Sequence, residues 1–283
     1  MRNGESVLMD PLVVLSFAIA ILLEIVVPLG VAWWLVRRFA LAWRIFLYGA
    51  LFFLLVQVIH TPLVLFTQTP IAIALNGIFP DRTISLAVFA IILGFLAGLF
   101  EEVGRYLVFR WFFRPRSIPL STENVLLFGA GWGGVESMLV GGLVFLTLLS
   151  YVTAAPLTDA RIEAINESLG GTLTEEQIAA IEAQNQALLN LTPLDPLVGL
   201  LERLMTFPIQ IALTILVLFA VVQGRPLLLL LAILWHTALD ALAVFLAATA
   251  GIAAAEISVA VSAVIALALI WYTWPRVPKA RSL

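Results

Sequence analysis

No cysteine occurs among the 283 residues, and histidine occurs only twice, at His60 and His236. The first absence excludes disulfides, thiolate metal ligands and a cysteine nucleophile, although it says little about compartment. Charge is also scarce: 12% of residues are Asp, Glu, Lys or Arg against 62% hydrophobic, and the mean hydropathy is +1.09. That balance excludes a water-soluble enzyme and implies an all-α, polytopic protein whose first partner is the lipid bilayer. No nucleic-acid partner is expected. The opening residues Met1–Asp10 lack the basic region and small-residue cleavage site of a secretory signal, so the first span is expected to be retained. No internal repeat is visible.

What is present is a series of long apolar runs. Seven can cross a bilayer, at about 11–36, 44–67, 84–113, 122–150, 196–223, 226–249 and 252–274. Their connectors sort by charge. Arg37, Arg38 and Arg44 join spans 1 and 2, Arg114 and Arg116 join spans 3 and 4, and Arg225 lies between spans 5 and 6. Arg276, Lys279 and Arg281 form the tail, while the opposite connectors hold only Arg82 and Arg161. The positive-inside rule therefore places the N-terminus outside and the C-terminus in the cytosol of a multi-pass cell-membrane protein. Residues 1–283 read as a single membrane domain.

Residues 153–195 form an acidic outward-facing loop, with seven acids against Arg161. Thr174-Glu175-Glu176-Gln177 has the capping-box pattern, and Ile178, Ile181, Ala187 and Leu188 suggest an amphipathic helix after it. Gly170-Gly171 would separate that helix from an earlier one near Asp159 to Leu169. An ordinary helical hairpin is the simplest reading of the loop, and a lid over a site is the alternative. Pro70 to Asp81 reads as a further surface helix.

Against this background the charges inside spans stand out. Ile84 to Leu99 has no ionisable residue, and then Phe100-Glu101-Glu102-Val103-Gly104-Arg105 sets three together. Carboxylates at membrane depth normally face a protein interior or a watery cavity. On a helix Glu101 lies four residues before Arg105 and Glu102 three before it, so either can pair with the guanidinium. One Arg neutralises only one of them, leaving the other for chemistry, a metal or a proton. Counting from the basic ends at about 1.5 Å per residue puts Glu101, Glu136, His236 and Asp240 roughly 16–22 Å deep. Glu24, His60 and Gln210 fall in the same layer. A buried polar site assembled from several helices accounts for that alignment.

Within the layer, His236 and Asp240 are i and i+4, so Asp240 can orient the imidazole. Gly129, Gly131, Gly133 and Gly134 thin the helix ahead of Glu136, permitting close helix approach or a local break. Glu24 precedes Pro28 and can satisfy backbone freed by that proline. His60, before Thr61-Pro62, reads as structural, and Glu202-Arg203 as a structural ion pair.

Three motifs in order, Glu101-Glu102-x-x-Arg105, Trp132-x-x-x-Glu136 and His236-x-x-x-Asp240, resemble the EExxR/K, FxxxH/E and HxxxN/D patterns of the CAAX prenyl protease and PrsW-type intramembrane proteases. The chain looks more closely like the YhfC family of intramembrane metalloproteases. That likeness is carried by Glu-Glu-Val-Gly-Arg-Tyr at 101–106, Gly131-Trp132-Gly133-Gly134-Val135-Glu136 and Glu202-Arg203. It implies an intramembrane endopeptidase acting on membrane-embedded or lipidated peptides, with Glu101, Glu102, Arg105, Glu136, His236 and Asp240 in the catalytic site. YhfC-like sequences carry His at the Trp132 position and near Gln210; both are absent here. If Zn2+ is used, Glu101, Glu136 and His236 would hold it, with His60 a weaker candidate. The metal-free version has Glu101 activating water while Arg105 holds Glu102. Two carboxyl groups crowded in a low-dielectric site cannot both ionise cheaply, so Glu136 is the candidate acid partner and His236 the oxyanion donor or proton shuttle. A catalytically inactive scaffold of the same fold is the competing class. A proton-coupled transporter also fits a midplane carboxylate layer, but would predict an inverted repeat.

Overall fold

The computed structural model of the protein describes residues 10–274, so the basic tail at Arg276, Lys279 and Arg281 lies outside the described residues. No strand occurs among them. The elements are α1 (Pro11–Phe39), α2 (Arg44–Ile78), α3 (Arg82–Leu107), α4 (Thr122–Thr153), α5 (Asp159–Ser168), α6 (Glu175–Leu189), α7 (Leu194–Gln223), α8 (Pro226–Thr249) and α9 (Ile252–Thr273). Seven of these, all but α5 and α6, are long and apolar enough to cross a membrane. α3 runs on through a π-helical turn at Val108–Phe113 and a 3-10 turn at Arg114–Arg116. The exposed surface is apolar to match, as with Phe66 at 80% and Trp271 at 84%. Such side chains belong in lipid rather than water.

Two compact units make up the chain, one from residues 10–24 and 139–201, the other from residues 25–138 and 202–274. In the first, Val13 and Phe17 of α1 pack with Tyr151 of α4, whose hydroxyl accepts a 3.1 Å hydrogen bond from the Asp10 N–H. Glu24 is buried against Gly141 in the same unit. The acidic segment forms two helices. Thr174 and Gln177 close a reciprocal capping box at the start of α6, and Gly170 and Gly171 take positive φ in the turn before it. Neither α5 nor α6 buries a residue.

The second unit holds the larger core. α7 is its most enclosed span, 72% of its apolar window being buried. α2 differs from the sequence expectation, because the separate surface helix at Pro70 to Asp81 does not form. Instead α2 continues through Pro62 and Pro70 to Ile78. Prolines are tolerated in membrane helices because neighbouring groups can re-satisfy the freed backbone. Pro80 is what stops it: the residue before a proline is pushed out of the helical region, and Phe79 is extended. Asp81 then caps α3, accepting from Thr83 N at 2.7 Å and Ile84 N at 3.4 Å.

Glycines set the helix spacing around the later site. A Cβ at Gly98 would lie 2.8 Å from the Ile233 carbonyl oxygen and 3.2 Å from His236 Cβ; one at Gly94 would lie 2.7 Å from the Thr237 carbonyl oxygen. Gly94-x-x-x-Gly98 therefore lets α3 lie directly on the α8 backbone, one turn before Glu101 and Glu102. On α4 the glycines make no break. Gly133 faces Gln210 of α7, where a Cβ would meet Gln210 Cβ at 2.8 Å, and Gly131 faces the Phe46 backbone of α2. Gly98→Ala is expected to lower stability by about 1–3 kcal/mol through overpacking. Gly30→Ala, with nothing within 4 Å of the added methyl, is the neutral control. Thermal unfolding in detergent reads the difference, and equal midpoints for the two variants would contradict the close α3–α8 contact.

Candidate functional site

The site is built around Arg105, which is completely buried. Its guanidinium donates to Glu102 Oε1, to Glu101 Oε2 at 3.2 Å and to Gln210 Oε1. One face lies over the Trp132 ring, 4.5 Å from the ring centre to the guanidinium carbon. Desolvating a guanidinium costs several kcal/mol, so it is stable only with well-formed partners on most sides. Here α3 supplies two carboxylates, α7 an amide oxygen and α4 an aromatic face.

Glu102 is also fully buried and carries a second load. The same Oε1 lies 2.8 Å from His236 Nδ1, while Asp240 Oδ2 is 3.6 Å from Nε2. The imidazole is thus flanked by two carboxylates, and the closer is Glu102 on a neighbouring helix. Asp240, to which helical spacing gives the orienting role, is the looser and more exposed partner.

Glu101 and Glu136 are joined by one amide. Gln210 Nε2 donates to Glu136 Oε2 at 2.6 Å and to Glu101 Oε2 at 3.5 Å. Glu101 Oε2 also accepts from Trp132 Nε1 at 3.0 Å, and its Oε1 accepts from Gln57 Nε2 at 3.2 Å. Glu136 Oε1 accepts from Arg203 Nη1 at 3.1 Å, and Arg203 also pairs with Glu202. Glu101, Glu136, Glu202, Arg203, Gln210, His236 and Asp240 line one cavity of about 100 Å³. At about 30 Å³ per molecule in the liquid, that is room for a few waters and not for a peptide segment. A wider groove of about 650 Å³ between α2 and α3 is lined by apolar residues such as Phe52, Ile59 and Trp111. It holds no reacting group.

The structure therefore brings Glu101, Glu136, His236 and Asp240 to one cavity, with Glu102 and Arg105 directly behind it. His60 stands apart: it stacks on Phe100, and its Nδ1 lies 3.2 Å from Gln57 Oε1, so it reaches Glu101 only through Gln57. Four contributors have contacts that the sequence reading did not assign. Trp132 appears there in the second motif and Gln210 in the midplane layer, each also as a missing histidine but neither as a donor, and Gln57 carries no signal at all. Arg203 looked like the local partner of Glu202. The excess of membrane-depth carboxylates over Arg105 was the clue that a second cation had to be near.

These features define a multi-pass helical membrane protein with a buried carboxylate, guanidinium and imidazole cluster opening on a water-sized cavity. A family model described as YhfC intramembrane metalloprotease matches residues 23–264, and the chain belongs to that family. It is also 31% identical over 258 residues to the "Uncharacterized membrane protein YhfC" of Bacillus subtilis (strain 168), covering 91% of this chain and 92% of that protein. No solved structure matches it.

The family description raises the question of a metal. Among the described residues no three His, Asp or Glu side chains are placed to hold one. The chemistry of the donor set is more telling. A hydrolytic zinc takes three protein ligands and an open position. Here Glu101 and Glu136 both point their oxygens at N–H groups of Gln57, Trp132, Gln210 and Arg203. Glu102 Oε2 has no donor among the described residues, but it belongs to a carboxylate already bound to Arg105 and His236. The residues present do not fit a hydrolytic zinc.

Proposed function

We propose that the chain is an intramembrane peptidase in which Glu101 activates water held in the cavity. The observation that supports this best is the convergence of Glu101, Glu136, Gln210 and His236, from four different helices, on a cavity sized for water. In this reading the water oxygen bonds to the scissile carbonyl carbon as Glu101 takes its proton. The charge developing on the carbonyl oxygen is met by the His236 imidazole at the cavity wall. The proton then passes to the amide nitrogen as the C–N bond breaks, delivered by Glu101 or by Glu136 through their shared neighbourhood. Glu102 and Arg105 do not line the cavity; they are positioning residues, holding His236 and Glu101 in place. The substrate is a membrane-embedded or membrane-anchored peptide, which must enter unwound and part the helices to bring a carbonyl to the water.

A second reading, a scaffold of the same fold without activity, is favoured by one observation. Both oxygens of Glu101 are already engaged, by four donors in all. Cleavage of a membrane-anchored reporter by wild type and His236→Gln separates the two. His236→Gln is expected to lose most of the cleavage while remaining folded by size-exclusion chromatography and thermal unfolding. No cleavage by wild type with any membrane-anchored peptide tried would favour the scaffold, and equal cleavage by the two proteins would remove the role given to His236.

A further inference from the structure

We propose that the cation at the centre of this site is the Arg105 guanidinium, and that Trp132 and Gln210 close the site to a divalent metal. The inference concerns the same site as the peptidase reading but stands on binding alone, so it holds or fails whether or not a peptide is cleaved.

His236 taken by itself is arranged as a metal ligand would be. A ligating imidazole usually gives its other N–H to a carboxylate, and Glu102 at 2.8 Å from Nδ1 leaves Nε2 facing the cavity side of Asp240. What is missing is the rest of the coordination set. A metal on Nε2 needs further lone pairs within about 2 Å. The carboxylates lining the cavity are those of Glu101, Glu136, Glu202 and Asp240; the first two are turned toward donors and Glu202 is paired with Arg203. The indole N–H of Trp132 and the amide N–H of Gln210 both aim at Glu101 Oε2, at 3.0 and 3.5 Å. An indole N–H can only donate, and an amide nitrogen is likewise a donor. Neither nitrogen offers a lone pair to a metal.

Charge argues the same way. Arg105 is buried against Glu101 and Glu102, and Arg203 pairs with Glu136 and Glu202, so two guanidinium groups already neutralise carboxylates that a dication would otherwise recruit. Gln210 has a further part, because its Oε1 accepts from Arg105 while its Nε2 bridges Glu136 and Glu101. The Trp132 ring covers the guanidinium face and its N–H fixes Glu101. Both residues therefore hold Arg105 in the position and hold the carboxylates away from a metal. Imidazoles at these two positions would reverse both effects, adding two nitrogen lone pairs beside Glu101 and His236.

The test is zinc binding by purified full-length protein in detergent, without any activity readout. Protein is dialysed against zinc, and then metal per chain is measured for wild type, Glu101→Gln, His236→Ala, and Trp132→His combined with Gln210→His. Wild type is expected to hold far less than one zinc per chain, or an amount that Glu101→Gln and His236→Ala leave unchanged because it sits elsewhere. The double substitution is expected to gain about one zinc per chain, and to lose it again when His236→Ala is added. Near-stoichiometric zinc on wild type that His236→Ala or Glu101→Gln removes would overturn the proposal. No gain by the folded double variant would overturn the role given to Trp132 and Gln210. If the double variant does not fold, Gln210→His alone, the smaller change in side-chain volume, carries that arm, with a raised zinc affinity expected and none overturning the same claim.

Discussion

Arg105→Met is expected to lower the stability of the protein by about 3–5 kcal/mol, the range for removing one partner of a buried ion pair. The number belongs at the high end of single substitutions because three groups lose a partner at once. Glu102 is left fully buried with His236 alone, Glu101 loses one of its four donors, and Gln210 Oε1 loses the guanidinium that donates to it. The Trp132 ring also loses the cation above it. Arg105→Lys should fall between, since an ammonium keeps the charge but not the planar fork that meets Glu102, Glu101 and Gln210 together. Combining Arg105→Met with Glu102→Gln should recover part of the loss, because the buried carboxylate then no longer lacks its cation. Thermal unfolding of wild type, Arg105→Met, Glu102→Gln and the double variant, read as a double-mutant cycle, gives the coupling directly. An Arg105→Met midpoint equal to that of wild type would mean that the guanidinium is not enclosed by this cluster.

The same residues show how far the sequence could be read. The number of spans and most of their ends were legible because apolar runs and their basic flanks are one-dimensional signals. The capping box at Thr174 and the glycine turn before it are local in the same sense. The end of α2 was not, because Pro70 looks like a boundary in water and is absorbed in a membrane helix. For the site, counting residues gives depth but not the rotation of a helix about its axis. Depth therefore selected Glu101, Glu136, His236 and Asp240, yet could not say which carboxylate faces the imidazole. That is set by Gly94 and Gly98, which bring α3 onto α8 and put Glu102 beside His236. Arg203 was read as paired within its own helix because sequence neighbours are visible and the 67-residue separation from Glu136 is not.

The two adjacent glutamates are expected to part company when each is made neutral. Glu101→Gln should lose about 10²–10⁴-fold in cleavage, the usual contribution of a general base. Its stability should change little. A glutamine oxygen can keep the acceptor position shared by Trp132, Arg105 and Gln210, and Arg105 retains Glu102. Only the contact to Gln57 has to be rebuilt, and it lies on the partly buried side. Glu102→Gln meets a harsher situation. Its Oε1 alone serves both Arg105 and His236, and a neutral amide there leaves the guanidinium with Glu101 as its one remaining carboxylate. Stability and cleavage should therefore fall together, the second because His236 is no longer held. Reporter cleavage and unfolding midpoints measured on both variants separate a reacting carboxylate from a positioning one. Full cleavage by folded Glu101→Gln would remove it as the base. A Glu102→Gln protein as stable as wild type would show that Arg105 and His236 do not depend on that oxygen, and the division of labour between the two residues would be lost.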